Sequence, residues 1–135
     1  MSFSKFEDIE AWQESRALNI LINEICKRSN VKKDVGFVDQ IQRACLSIMS
    51  NIAEGNDSQS DIDFAKYLGY AKRSATEIKS QMYYALDKDY ISQNEFNDLS
   101  NRADKISSQL AKLIRYLYLC KRKRRTTTKN YSSDA

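Results

Sequence analysis

Proline is absent, histidine is absent, and glycine occurs only at Gly36, Gly55 and Gly69. A chain of 135 residues with so few breakers has little means of turning, which favours a few long helices. The lack of histidine removes the commonest general base and metal ligand. The three cysteines, Cys26, Cys45 and Cys120, are an odd number with no metal-ligand spacing. Cys45 and Cys120 fall on apolar stripes and read as small buried hydrophobes, while Cys26 reads as a helix surface or edge residue. No phosphate loop or nucleotide fingerprint is present, so the expectation is a non-enzyme with no cofactor and no metal. No apolar run approaches the ~20 residues of a membrane span. Met1–Phe6 lacks the apolar core of a signal peptide, and the reading is a cytoplasmic protein that does not touch a membrane.

What is present is typical of a helix-rich globular domain: 41% hydrophobic and 30% charged residues. The net charge of +4 is unevenly spread. Residues 121–135 carry six basic groups (Lys121, Arg122, Lys123, Arg124, Arg125 and Lys129) against one acid, Asp134. The other 120 residues hold 16 basic and 17 acidic groups, a net of −1. All the excess charge therefore sits at the end of the chain.

Periodicity predicts four helices, at about 7–29, 35–54, 61–87 and 93–122. The first is a looser pattern through Ile9, Trp12, Leu18, Leu21, Ile22 and Ile25. The second carries Val38, Ile41, Cys45, Ile48 and Ile52 in steps of 3 and 4, the seam of coiled-coil packing. Gly55 follows, where a glycine can take the left-handed conformation that closes a helix. The third seam is Phe64, Leu68, Ala71, Ala75, Ile78, Met82 and Ala85. The fourth is Phe96, Leu99, Ala103, Ile106, Leu110, Leu113, Leu117 and Cys120. Ser60 with Asp63 resembles a capping box, and Ser92 with Glu95 is a better one. Short polar linkers make neighbouring helices antiparallel. The predicted architecture is all-α: an antiparallel up-down-up-down four-helix bundle over residues 1–122 with left-handed packing, followed by a flexible, disordered basic tail at 123–135.

Two features are left over. Leu113–Leu119 is apolar nearly all round, and Tyr67, Tyr70, Tyr83 and Tyr84 lie off the third seam. Such surface either packs on a second subunit or flanks the core with its hydroxyls in water. Beside the second seam runs a polar stripe of Gln40, Arg43, Ser47, Asn51 and Glu54, with Ser74, Glu77 and Gln81 at similar spacing on the third helix. Placing Glu54 opposite residue 62 puts Ser47 near Gly69 and Arg43 near Arg73 or Ser74, about one turn from Glu77. The stripe is either a ligand cleft or a polar network or interface that fixes register, and the structural reading is favoured. Two carboxylates and a serine, with no histidine, are thin grounds for catalysis.

The run Gln40-Ile41-Gln42-Arg43-Ala44-Cys45-Leu46-Ser47-Ile48-Met49-Ser50-Asn51-Ile52-Ala53-Glu54-Gly55 resembles a signature Q-I-x-R-A-x-x-S-I-x-x-N-I-A-E-G. That signature marks the four-helix-bundle proteins encoded in intervening sequences of bacterial 23S ribosomal RNA genes. The opening Phe6-Glu7-Asp8-Ile9-Glu10-Ala11-Trp12-Gln13 matches their usual start, and Phe64, Leu68, Ala71, Ser74 and Glu77 match the third helix. The chain departs at Arg73, where that family commonly has glycine. The resemblance covers about residues 6–119. It implies a ring-shaped homopentamer. A related branch, the accessory variability determinants of diversity-generating retroelements, binds nucleic acid and works with a reverse transcriptase.

The five consecutive cations Lys121–Arg125 exceed what a helix C-terminus needs for its dipole. Five tails on one ring would present about 25 clustered cations, a surface for phosphate backbones with steep salt dependence. The other readings of this segment are a helix end that aids solubility and a dock for an acidic protein. The leading expectation is a non-enzymatic oligomeric RNA- or DNA-binding accessory protein, one that serves a retroelement reverse transcriptase. The alternative is a structural or ribosome-associated interaction ring that binds no nucleic acid.

Overall fold

A computed structural model describes residue 3 and the backbone of residues 5–132, with side chains described as far as Cys120. All its regular elements are helical among the described residues. A 3-10 turn, Phe6–Asp8, precedes α1 (Glu10–Cys26), the four-residue α2 (Ser29–Lys32), α3 (Val35–Asn56), α4 (Asp61–Asp87) and α5 (Gln93–Ser132). The positions of the expected basic tail, and every side chain of Lys121–Arg125 and Lys129, lie outside the described side chains.

The long helices form a square, with α1 beside α3, α3 beside α4, α4 beside α5 and α5 back beside α1. Cross-helix contacts give each pair's direction. Glu14 meets Lys105 while Arg28 meets Glu95, so α1 and α5 run oppositely. Ser47 meets Ser74 while Asp34 meets Tyr84, so α3 and α4 do too. Lys79 to Asp104 and Tyr83 to Phe96 fix α4 against α5 in the same sense. The chain is thus an up-down-up-down bundle, as short linkers require.

The heptad seams fill its centre. Phe64, Leu68, Ala71, Ala75, Ile78, Met82 and Ala85 of α4 are all buried. Leu99, Ala103, Ile106, Leu110 and Leu117 of α5 face them, with Phe96, Leu113 and Cys120 half-buried at the margin. The seam of α1 is Ala11, Ser15, Leu18, Ile22 and Ile25, also in steps of 4 and 3. Ser15 is buried on that stripe because its hydroxyl donates to the Ala11 carbonyl at 2.6 Å, satisfying itself within the helix. On α3 the first seam position is taken by Phe37 rather than Val38. Phe37 stacks on the Tyr84 ring (5.4 Å between centroids) and leans on Tyr90, a cluster only an aromatic ring can complete.

The ends differ from expectation in instructive ways. The first helix stops at Cys26, because Arg28 adopts extended backbone (ψ 142). From there its guanidinium donates to the Tyr90 carbonyl at 2.8 Å and pairs with Glu95. The stretch expected as a loop then makes the single turn of α2, which plugs this end of the bundle with fully buried Val31. Gly55 is not a left-handed cap. It lies inside α3 with ordinary φ. A Cβ there would come within 2.8 Å of Tyr67 Cβ and 2.9 Å of the Phe64 ring. The glycine is therefore a close-approach residue for α4. Only Asp89 takes a positive φ among the described residues, at 59°. The Tyr90 N–H reaches the Ala85 carbonyl and the Asp89 N–H that of Leu86, the paired bonds that close a helix end through a left-handed residue.

Candidate functional site

Three surfaces of the bundle carry chemistry. The first is the polar stripe, which lies in the outer furrow between α3 and α4. Its middle is a compact network: Ser74 Oγ donates to Ser47 Oγ at 2.8 Å, and Asn51 Nδ2 donates to the Ser47 carbonyl at 2.8 Å and hydroxyl at 3.1 Å. All three residues are half-buried. Gln40, Arg43, Glu54 and Glu77 are exposed and stand apart from it. Arg43 pairs with Asp39, one turn back on its own helix (2.9 Å), rather than with Glu77. The hairpin register is not what separates them. Ser47 sits opposite Ser74, five residues further along α4 than the expected Gly69, which brings Arg43 level with the Glu77 turn, yet Arg43 takes the acid on its own helix. Arg73, at the departure from the family pattern, is exposed and places its guanidinium 6.0 Å from the centre of the Tyr70 ring.

The second surface is the plugged end. Asp34 caps α3 by accepting from the Phe37 N–H (3.2 Å) and accepts from the Tyr90 hydroxyl (2.6 Å) and the Tyr84 hydroxyl (2.8 Å). These donors, Tyr90 first, hold the Asp34 carboxyl below the usual carboxylate range. In return the bond to Asp34 pushes the Tyr90 phenol up to about 12. Nearby, Ser92 and Glu95 form the full reciprocal capping box expected for α5, at 3.1 and 2.9 Å. The bond from Arg28, then that from the Ser92 N–H, lowers the Glu95 carboxyl to about 2. Asp34, Tyr84, Tyr90, Ser92 and Glu95 are each hydrogen-bonded to a neighbour, whereas Gln81, which lines a pocket with Asp34 and Tyr84, keeps a buried Oε1 with no hydrogen-bond partner among the described residues. Burial pushes the Cys45 thiol up to about 12 and raises that of Cys26, which leaves both poor nucleophiles at neutral pH.

The third surface is the groove between α1 and the middle of α5, which the sequence reading did not single out. It has a volume of about 520 Å³ and is walled by Phe3, Ile9, Ala11, Lys105, Gln109 and Lys112, among others. Its signal in the sequence is one of charge: after Asp104 no acidic residue occurs until Asp134. Just beyond the groove α5 exposes Tyr116, Tyr118 and Leu119 at 44%, 50% and 51%.

Among the described residues no group of three or more His, Cys, Asp or Glu is placed to hold a metal. No helix among them is long and apolar enough to cross a membrane.

Comparison with known proteins bears on the fold and the lineage. No curated protein matches the chain. A crystal structure of a protein of unknown function from the S23 ribosomal protein family, from Bacteroides thetaiotaomicron, superposes with a TM-score of 0.71. It is 24% identical and the match covers 78% of this chain and 95% of that one, which establishes a shared fold. The model of one family, 23S rRNA-intervening sequence protein, matches residues 7–112. That span takes in the α3 signature, the Gly55 close approach and the heptad seams of α4 and most of α5, and the chain belongs to the 23S rRNA-intervening sequence protein family.

Proposed function

We propose that this chain is a non-enzymatic, oligomeric accessory protein of the cytoplasm that grips nucleic acid by its phosphate backbone. The observation that carries the reading is the one-signed second half of α5. Residues 105–133 hold nine basic groups and no acidic one, while residues 1–104 hold 13 basic and 17 acidic groups, a net of −4. So many cations in one stretch of chain concentrate positive potential there, which attracts any polyanion and steers its approach. The exposed Tyr116 and Tyr118 beside Lys112 and Arg115 add ring faces on which bases can stack. Assembly of several copies would multiply the cations, and a reverse transcriptase is the partner that the retroelement branch suggests.

A second reading has its own observation. Leu119 with Tyr116 and Tyr118 makes an apolar patch of the kind that subunits cover, so a ring that serves only protein interaction would also use this end of α5.

The test is binding of RNA and single-stranded DNA across a salt series, for the full chain and for a chain ending at Cys120. The proposal expects affinity that falls steeply with salt. It expects the truncation to remove most of the binding and to flatten the log–log salt slope by about 3.5 on single strands, about 0.7 per lost phosphate contact of Lys121–Arg125. Absence of binding by either chain at low salt would leave the interaction ring as the function.

A further inference from the structure

We infer that the outer face of α1 and α3 is the seat on which a second copy of this chain lays the exposed end of its α5, so that copies join head to tail. The inference rests on the oligomeric part of the reading above and names the two faces that meet. The receiving face is marked first by what it lacks. Residues 44–53 of α3 carry no charge, in a chain of which 30% is charged. Yet this stretch is not all core: Leu46 is 65% exposed, and Met49, Ser50 and Ala53 are half-buried. The solvent side of a helix is normally charged, and depletion of charge is what distinguishes the buried centre of an interface.

Helix α1 continues the patch. The Gln42 amide donates to the Asn23 side-chain carbonyl at 3.5 Å, which sets the two antiparallel helices side by side. One turn further along both, Ile20, at 54% exposure, comes level with Leu46. Two turns beyond, half-buried Trp12 comes level with Ala53. The patch ends at an acidic rim. Asn56 takes the backbone of Phe3 through two hydrogen bonds, at 2.9 and 3.0 Å, and the 3-10 turn Phe6–Asp8 lies against α3. Glu7 and Asp8 thus share this end of the bundle with Glu54 and Asp57, all four exposed. The cations of the face are Lys5 and Arg16, and Arg43 at its edge is taken by Asp39.

The end of α5 is the complement. Tyr118 and Leu119 are half exposed beside Arg115, and residues 112–125 hold seven cations and no acid. Apolar side chains meet an uncharged apolar seat, and the cations that flank them meet the acids at its rim. Helices α3 and α5 are diagonal in the square, so the two faces lie on different sides of one bundle and a copy cannot cover its own. Two α5 ends placed together would set cation against cation. Two seats placed together would leave both α5 ends bare. Head-to-tail joining covers both faces at once.

The experiment uses two variants of the full chain, each blocked on one face. Ile20→Lys with Leu46→Lys puts cations on the seat, and Tyr118→Glu with Leu119→Glu puts acids on the α5 end. All four side chains are about half exposed or more, so the helicity of each variant should match the parent. Light scattering should give a multiple of 15.7 kDa for the parent and the mass of one chain for each variant alone. An equimolar mixture of the two variants should then give the mass of two chains and no more. One intact seat meets one intact α5 end, and the blocked faces stop further growth. A mixture that stays at the mass of one chain overturns head-to-tail joining in favour of a symmetric contact. A multimeric parent with a seat variant of unchanged mass places the contact off the α1–α3 face and leaves the oligomeric reading standing. A monomeric parent removes both readings together. Should the lysines cost helicity, Ile20→Gln with Leu46→Gln repeats the test without added charge. That variant should raise the concentration needed for assembly about tenfold or more, and an unchanged concentration overturns the seat.

Discussion

Gly55 and Gly69 share a residue type and a helical backbone, yet the structure gives them opposite roles. A Cβ at Gly55 meets Tyr67 Cβ at 2.8 Å and the Phe64 ring at 2.9 Å, whereas a Cβ at Gly69 meets nothing within 4 Å. Gly55→Ala should therefore force α4 away from α3. Overpacking costs about 1–3 kcal/mol and better helix propensity returns somewhat under 1, for a net loss of up to about 2 kcal/mol. Gly69→Ala should gain about 0.5–1 kcal/mol, since only the propensity term acts. Urea unfolding of the two variants side by side checks both signs, and equal effects would mean the close approach at Gly55 is unimportant. Ser15 teaches a related lesson. It occupies a core position of the α1 seam, but a polar letter there hid the heptad, because the hydroxyl's bond to Ala11 is a matter of rotamer and not of composition.

At the scale of the element, helix ends carry much of the specificity. The Ser92–Glu95 box starts α5, and Arg28 clamps the same carboxylate from the end of α1, so one acid both caps its own helix and joins it to another. Glu95 is lowered from 4.5 to about 2, chiefly by the bond from Arg28. A depressed carboxyl contributes stability that is present in full above the unfolded value and is lost as the acid form is reached. Stability should thus decline as pH falls from about 4.5 toward about 2, and Glu95→Gln should flatten that part of the profile while lowering stability at neutral pH. Because the pair is partly exposed, the effect should shrink in high salt. Denaturant midpoints across pH for the two proteins decide it, and parallel acid profiles would assign the decline to other carboxyls. Asp34, held low by Tyr90 and Tyr84, is the nearest such group and contributes in the same direction.

For the molecule as a whole, the apolar patch at residues 116–119 of α5 bears on assembly. The described chain leaves Tyr118 and Leu119 half exposed, with Tyr116 beside them, on a helix whose opposite face is core. Under the oligomeric reading these side chains meet a second copy. Tyr118→Glu with Leu119→Glu should then reduce the mass seen by light scattering to that of one chain, without loss of helicity. An unchanged mass would place the contacts elsewhere on the bundle, and a monomeric parent would remove the oligomer from the proposal. The double variant also bears on function, because added negative charge beside Arg115 should weaken any polyanion that runs along this edge.

The sequence by itself determined the helical class, the number of long helices and three of the four seams. Those depend on periodicity, and the stripe from Phe64 to Ala85 is buried at every position it marks. It also determined the capping box of α5 and the family signature, which are local patterns. Only the tertiary structure decided the register of the α3–α4 hairpin, the partner of Arg43, the plug at Val31 and the groove above Ile9. The register, the plug and the groove depend on how far one helix slides along another, set by close contacts such as Gly55 against Phe64, whereas Arg43 turned to Asp39, an i,i+4 pair on its own helix that spacing also allowed.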